Sequence, residues 1–298
     1  MSPLVVAVVL SWNRREDTLA CLRSLAGEGY PRLRVVVVDN ASADGSAEAV
    51  RAGFPDVELV RNEVNRGYAG GMNDGIRRAL ELGADHVLLL NNDVEVEPGF
   101  VGALVDEAAR RPDAGALCPL MVFADRPDLV WYAGAPFDPA RGYNGRITGY
   151  REPASGFTNV TETDRAAGTA MLVPRPVLER VGMFDEELFA YSEDTDWSVR
   201  AREAGYRLLV VPAGRIRHKV SVSSGGENSP ATLYYGLRNA LAVAERHAPL
   251  GPVGTWRRRL VALGVHLVQA LRSRRRREAL RAVLEGWRDW RRGRLGPR

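Results

Sequence analysis

The chain has 298 residues, 45% hydrophobic and 26% charged, proportions that fit a folded globular protein and exclude a disordered or fibrous one. Its two cysteines, Cys21 and Cys118, form no CxxC and join no His/Cys cluster, which argues against a disulfide framework and a zinc site. The net charge of +4 is unevenly spread: residues 251–298 carry 14 arginines against three acids, so that segment holds +11 and the first 250 residues are net −7.

Leu4 to Leu10 and Arg34 to Val38 are β-branched runs, apolar on both faces, as strands of a helix-covered parallel sheet are. Between them Leu19, Leu22 and Leu25 fall at helical spacing within Arg14 to Leu25. The pattern repeats with a helix at Ser46 to Ala52, a strand at Val57 to Arg61, a helix from Gly71 to Leu82 and a strand at His86 to Leu90. This succession predicts a doubly wound α/β sheet. A helix at Pro98 to Arg111 and a strand at Ala114 to Leu117 follow, and then Asp125 to Thr163, rich in Gly, Pro and Asp, reads as a loop-rich insertion that could shape one side of a site. Order resumes with a strand at Thr169 to Val173, helices at Pro176 to Val181 and Glu193 to Ala204, a strand at Arg207 to Val211 and a helix at Pro230 to His247. Pro249 to Pro252 marks a boundary.

In open α/β sheets ligands bind at the carboxyl ends of the strands. Ser11-Trp12-Asn13, Asp39-Asn40 and Asn91-Asn92-Asp93 each end a predicted strand. Any one of these clusters fits a turn equally well, because Asp and Asn favour turns for local reasons. Their joint placement at one sheet edge favours a site. The glycines of Asn65 to Gly71 precede a predicted helix, whose start can offer N–H groups to an anion.

The blocks VVLSWNR, VVDNASADGS, NRGYAGGMNDGI, LLLNNDV, AAGTAMLVPR, GMFDEELFAYSEDTDWSVRAREAGYRL and YYGLRN, in that order over about residues 4–247, resemble the family 2 glycosyltransferases of the GT-A fold. Within that family the match is to the rhamnosyltransferase-like group that builds bacterial surface polysaccharides. The resemblance implies a Rossmann-like nucleotide-binding sheet flanked by helices over residues 1–248, with residues 249–298 as a basic helical extension. It implies inverting transfer of a sugar, with dTDP-L-rhamnose the first expectation, from a nucleotide diphosphate donor to a hydroxyl of a glycan or polyprenol-linked acceptor.

The resemblance also assigns roles. Asp39 accepts the imide N–H of a uracil or thymine base, and Ser11, Asn13, Asn65, Gly67, Asn73, Asn91 and Asn92 line the donor. Asp93 occupies the metal motif for Mg²⁺ or Mn²⁺, although Asn91 replaces the first Asp of that motif, and His218 is a second candidate ligand. Asp194 is the expected general base, Glu193 its orienting neighbour, and Arg238 a candidate phosphate clamp. A nucleotidylyltransferase shares such a core but should carry a basic Gly-rich N-terminal loop, and Ser11 to Glu16 is not one.

Such a basic tail points to a polyanion, either nucleic acid or an anionic membrane surface. It holds no nucleic-acid recognition module, so no nucleic-acid partner is expected. Leu260, Leu263, Leu267, Val268 and Leu271, then Leu280, Val283, Leu284, Trp287 and Trp290, repeat at helical spacing beside the run Arg272 to Arg277. Basic amphipathic helices of this kind lie in a membrane interface. The alternative is that they pack on the body or on another subunit, which leaves a homo-oligomer open. The start of the chain lacks the basic region and cleavage site of a signal peptide, and no run reaches the roughly 20 apolar residues of a span. A cytoplasmic enzyme at the inner face of the membrane is the expectation.

Overall fold

A computed structural model describes residues 2–138, 147–220 and 228–298. Ten strands form one sheet: β1 (Val5–Ser11), β2 (Leu33–Asp39), β3 (Glu58–Arg61), β4 (His86–Asn91), β5 (Val94–Val96), β6 (Ala114–Phe123), β7 (Val130–Tyr132), β8 (Thr161–Thr163), β9 (Ala170–Pro174) and β10 (Arg207–His218). The main path runs β3-β2-β1-β4-β9-β6-β10-β5. β1 is parallel to both β2 and β4, and β2 to β3, which gives the doubly wound half. Beyond β4 the sheet becomes mixed, because β9 returns antiparallel to β4. Val5 to Val9 are fully buried, as the two-faced apolar run requires of a strand covered on both sides.

The flanking helices are α1 (Arg15–Ala26), α2 (Ser46–Gly53), α3 (Gly67–Glu81), α4 (Phe100–Arg110), α5 (Arg175–Val181) and α6 (Glu193–Glu203), and then α7 (Pro230–His247), α8 (Pro252–Arg272) and α9 (Arg276–Arg291). Three departures from the predicted elements shape the site. First, α3 begins at Gly67 rather than Gly71, so the glycine-rich stretch is helix and not loop. Its glycines let the helix lie directly on β1 and β2: a Cβ on Gly75 would come within 2.1 Å of Val8, and one on Gly71 within 2.6 Å of Leu10.

Second, β10 continues to His218, well past the predicted end at Val211. Third, β5 pairs antiparallel with the end of β10, Val94 opposite His218, and so carries the chain from Asp93 straight to that histidine. Part of the insertion, residues 125–138 and 147–163, adds β7 to β6 and β8 to β10.

The tail is helical and packs on the body. Leu233, Leu237 and Leu241 of α7 share a core with Ala262 and Ala270 of α8 and with Ala279 and Val283 of α9. Buried Arg258 caps α7 by donating to the carbonyls of Ala244 and Ala248.

Candidate active site

The loops after β1 and β2 are laced together at the carboxyl edge of the sheet. Asn13, in the left-handed region at φ 58°, accepts from the Ala43 N–H at 2.9 Å, and its own N–H donates to the Ser42 hydroxyl at 2.8 Å. Asp39 is 2% exposed at the end of β2 and accepts from the Ser42 N–H at 3.3 Å, with Arg61 at 3.9 Å from its other oxygen. Its neighbour Asn40 holds the next segment: its amide donates to Asn65 Oδ1 and to the Gly67 carbonyl, while its oxygen accepts from the Arg66 N–H and from Asn62.

At the end of β4 the three polar residues part company. Asn92 turns away from the edge and donates to the Thr18 hydroxyl at 2.9 Å and to the Asn13 carbonyl. Asp93 and His218 meet, Oδ1 to Nε2 at 3.4 Å, and each is about 4% exposed. Trp131 of β7 packs edge-on to the His218 ring with centroids 4.3 Å apart, so the insertion reaches this centre. Asp93 Oδ1, His218 Nδ1 and Asn91 Oδ1 are buried with no hydrogen-bond partner among the described residues. Buried polar atoms are ordinarily satisfied, and the unsatisfied Asp93 Oδ1 facing His218 Nε2 gives a carboxylate oxygen and a ring nitrogen that could share a divalent cation. No cluster of three or more His, Cys, Asp or Glu surrounds it among the described residues, so a bound substrate would have to complete the coordination.

The other half of the site is the turn into α6. Phe189, Tyr191 and Ser192 all have positive φ, at 65°, 68° and 69°. The Ala190 N–H bonds to the Leu188 carbonyl at 2.7 Å, closing a strained three-residue turn around Phe189. Backbone strain of this sort persists only where surrounding groups fix it. Asn239 of α7 does so by donating to the carbonyls of Leu188, Ala190 and Tyr191, each at 2.8 Å. Arg238, fully buried, donates to the Leu188 and Gly296 carbonyls and to Asn239, and its guanidinium lies over the Tyr234 and Tyr235 rings. The start of α3 joins in, with the Ala69 N–H donating to the Phe189 carbonyl at 3.1 Å.

The turn delivers Glu193 and Asp194. Asp194 is half-buried and accepts from the Gly168 N–H at 3.2 Å and from the Thr195 hydroxyl at 3.2 Å. The Gly168 carbonyl accepts from Tyr68, so one residue joins the carboxylate and the phenol through its N–H and its carbonyl. Burial, then the charges of Glu193, Asp194 and Asp93, push the Tyr68 hydroxyl well above its ordinary range, which puts all three acids in its field. Glu193 is 5% exposed, with Oε2 lacking a partner among the described residues. Burial, then the neighbouring charges of Asp194 and Asp196, hold its carboxyl well above the usual carboxylate range. Two adjacent acids thus occupy different environments, Glu193 sealed in the interior and Asp194 half-buried beside Gly168.

That burial makes a prediction about Glu193. A raised folded-state value means stability is fully present below the unfolded carboxylate range and is lost as pH rises through the folded-state value. Glu193→Gln copies the protonated form, so it should not show that loss. Thermal melts of wild type and variant across acid to neutral pH should converge in acid and separate at neutral pH, with the variant higher.

Several sequence expectations change on this geometry. Arg238 is no phosphate clamp in this conformation, because its donors are spent on protein carbonyls and Asn239 in a fully buried position. Asn73 is committed to Phe184 and Glu186 rather than to the cleft. Ser11 pairs with Thr18 beneath the edge, and Asn65 accepts from the Gly67 N–H and so fastens the start of α3. Gly67 holds φ +71°, and a Cβ there would lie 2.3 Å from the Phe189 carbonyl oxygen, so it brings α3 against the strained turn. Asp39, Asn91, Asp93 and His218 remain at the edge, and Asp194 faces Gly168. Asn40, Tyr68, Gly168 and Asn239 are residues to which the sequence reading gave no role of their own. All four stand in the quoted blocks, but only folding shows their partners.

Residues 6–181 match the model of glycosyl transferase family 2. The N-acetylglucosaminyl-diphospho-decaprenol L-rhamnosyltransferase of Mycobacterium tuberculosis is 30% identical over 309 aligned positions, covering 95% of this chain and 97% of that protein. The dTDP-rhamnosyl transferase RfbF of Shigella flexneri is 28% identical over 260 positions, covering 84% of this chain and 83% of that one. Among solved structures, the mannosyltransferase PcManGT of Pyrobaculum calidifontis, in complex with GDP-Man and Mn²⁺, superposes with a TM-score of 0.59 at 21% identity, covering 96% of this chain and 74% of that one. GalNAc-T7 with UDP, GalNAc and Mn²⁺ gives 0.58 at 16% identity over 72% of this chain and 43% of that one. The α/β sheet is that of the GT-A glycosyltransferases, and with more than half its length matched the chain belongs to glycosyl transferase family 2.

Proposed function

We propose that the protein transfers L-rhamnose from dTDP-L-rhamnose, with inversion, to a hydroxyl of a polyprenyl-diphosphate-linked glycan. The observation that carries the site reading is the facing pair Asp93 and His218, with Asp93 Oδ1 unsatisfied, beside a separate braced carboxylate, Asp194. The donor and acceptor classes rest on the end-to-end match to the mycobacterial L-rhamnosyltransferase.

In this reading the edge loops seat the nucleotide. Asp39 accepts the imide N–H of the thymine, while Asn13 holds the loop that walls it. Asp93 and His218 would hold Mg²⁺ or Mn²⁺, with Asn91 able to offer its free oxygen; such an ion supplies charge stabilisation to the departing diphosphate. Asp194 takes the acceptor hydroxyl proton as the new C–O bond forms on the face of the sugar opposite the breaking bond to the diphosphate. One displacement with one base gives inversion and releases dTDP. Glu193, buried beside Asp194 at the start of α6, is the orienting neighbour in this reading. Trp131, through the insertion, closes one side of the metal centre.

The test is a donor screen read by release of nucleoside diphosphate with a synthetic polyprenyl-diphosphate-linked amino sugar as acceptor. The expected result is turnover with dTDP-L-rhamnose at least about tenfold above UDP- or GDP-hexoses, a discrimination of roughly 1.4 kcal/mol. Faster turnover with a UDP- or GDP-sugar would overturn the donor assignment and leave the family standing.

A further inference from the structure

The sequence pattern gives the tail two apolar stripes, and the structure divides them. Leu263, Leu267, Leu280, Trp287 and Trp290 turn inward and pack against the α7 core, with Val283 fully buried. A different stripe remains outside on α8: Val253 at 83% exposure, Trp256 at 63%, Leu260 at 53%, Val268 at 48% and Leu271 at 54%. At 3.6 residues per turn these five positions fall within an arc of about 120°. Leu284 of α9, 59% exposed, lines a depression together with Arg277, Arg281 and Arg288.

We propose that this outer face of α8 docks on an anionic phospholipid surface. The proposal is independent of the donor assignment and goes beyond it. Charge decides the occupant. α8 contains no acid, and Arg257, Arg272, Arg274, Arg276 and Arg277 are all exposed along and beyond the stripe. A second copy applied face to face would set one +11 tail against another. A nucleic-acid backbone would satisfy the arginines but strip water from Val253, Leu260, Val268 and Leu271 without giving them an apolar partner. An anionic bilayer answers both halves, acyl chains for the stripe and headgroups for the arginines, each of which contributes about 1 kcal/mol near such a surface. Trp256 suits the boundary between them. No helix among the described residues is long and apolar enough to cross a membrane, in keeping with a helix that lies along one.

Deleting residues 251–298 would uncover Leu233, Leu237 and Leu241, so the test uses the full chain with point substitutions. Wild type and a Trp256→Ser/Leu260→Gln/Leu271→Gln variant are sedimented with vesicles of phosphatidylglycerol and phosphatidylcholine in equal parts, and with phosphatidylcholine alone. All three positions are exposed, and matching melts of the two proteins check the fold. Wild type should pellet with the anionic vesicles and less so in high salt, and the triple variant should partition at least about tenfold more weakly. A Leu260→Cys protein carrying an environment-sensitive dye gives a second readout, since Cys21 and Cys118 are buried and burial pushes the Cys118 thiol up to about 12. Its emission should shift to the blue when anionic vesicles are added. Wild type remaining in the supernatant with both vesicle types, or equal partitioning of wild type and variant, overturns the proposal. So does a vesicle-independent dimer that the triple variant dissolves, which would make the face a subunit contact.

Discussion

Asp194→Asn should lower the turnover number by ~10²- to 10⁴-fold, the usual contribution of a positioned general base, while donor affinity stays near that of wild type. The amide is isosteric and keeps one of the two acceptor contacts, to Gly168 N–H or to the Thr195 hydroxyl, while the strained turn before α6 stays held by Asn239. What the amide cannot do is take the acceptor proton. Donor binding is unaffected in this reading because Asp39 and the Asp93–His218 pair lie on other elements, β2 and the β4–β10 end. Steady-state kinetics with the confirmed donor, beside calorimetric titration of dTDP-rhamnose, separates the two quantities. Near-normal turnover would remove Asp194 from the chemistry.

Asp93→Ala should cost at least about a hundredfold in kcat/KM, since a metal-bound oxygen leaving group is stabilised by several kcal/mol. It should also weaken donor binding, because Asp93 would hold the ion that supplies charge stabilisation to the diphosphate. EDTA should reproduce both effects in wild type. His218→Ala should cost less, because a neutral imidazole supplies no charge to the ion. With Asn91 standing where the family has an acid, the centre offers a single carboxylate, and metal affinity without nucleotide should be feeble. Donor and metal then strengthen one another reciprocally, so Mn²⁺ titrated calorimetrically should bind measurably tighter once dTDP is present. Undiminished activity in EDTA would take the ion out of the mechanism.

The alternating strands and helices up to β4 could be read from the sequence because a strand buried on both faces shows as an unbroken β-branched run, and Val5 to Val9 is one. β5 could not, since three residues carry no period, and with it went the register that sets Val94 opposite His218. The start of α3 was hidden for another reason. Glycine lowers helix propensity, and here the close approach of the backbone to Val8 and Leu10 overrides it. Arg238 shows the limit most clearly. A charged residue in a polar block resembles a ligand contact until its partners, the carbonyls of Leu188 and Gly296, come from 50 and 58 positions away. In the tail the period revealed amphipathic helices, but α8 has apolar residues on two sides, and only Leu233, Leu237 and Leu241 of α7 choose which side is covered.

The turn that carries Asp194 draws almost none of its order from its own neighbourhood. Asn239 and Arg238 hold its carbonyls from α7, and Gly296 both donates to the Glu187 carbonyl and accepts from Arg238. α7 in turn is braced by α9, whose Gly286 sits so close that a Cβ would lie 2.6 Å from the Tyr234 carbonyl. Three residues in left-handed conformations have no reason to stay there once those donors leave. In the proposed reading, partial opening of the helical bundle should remove the base while β1, β2 and β4 are still intact, so in a denaturant titration activity should be lost before the sheet signal.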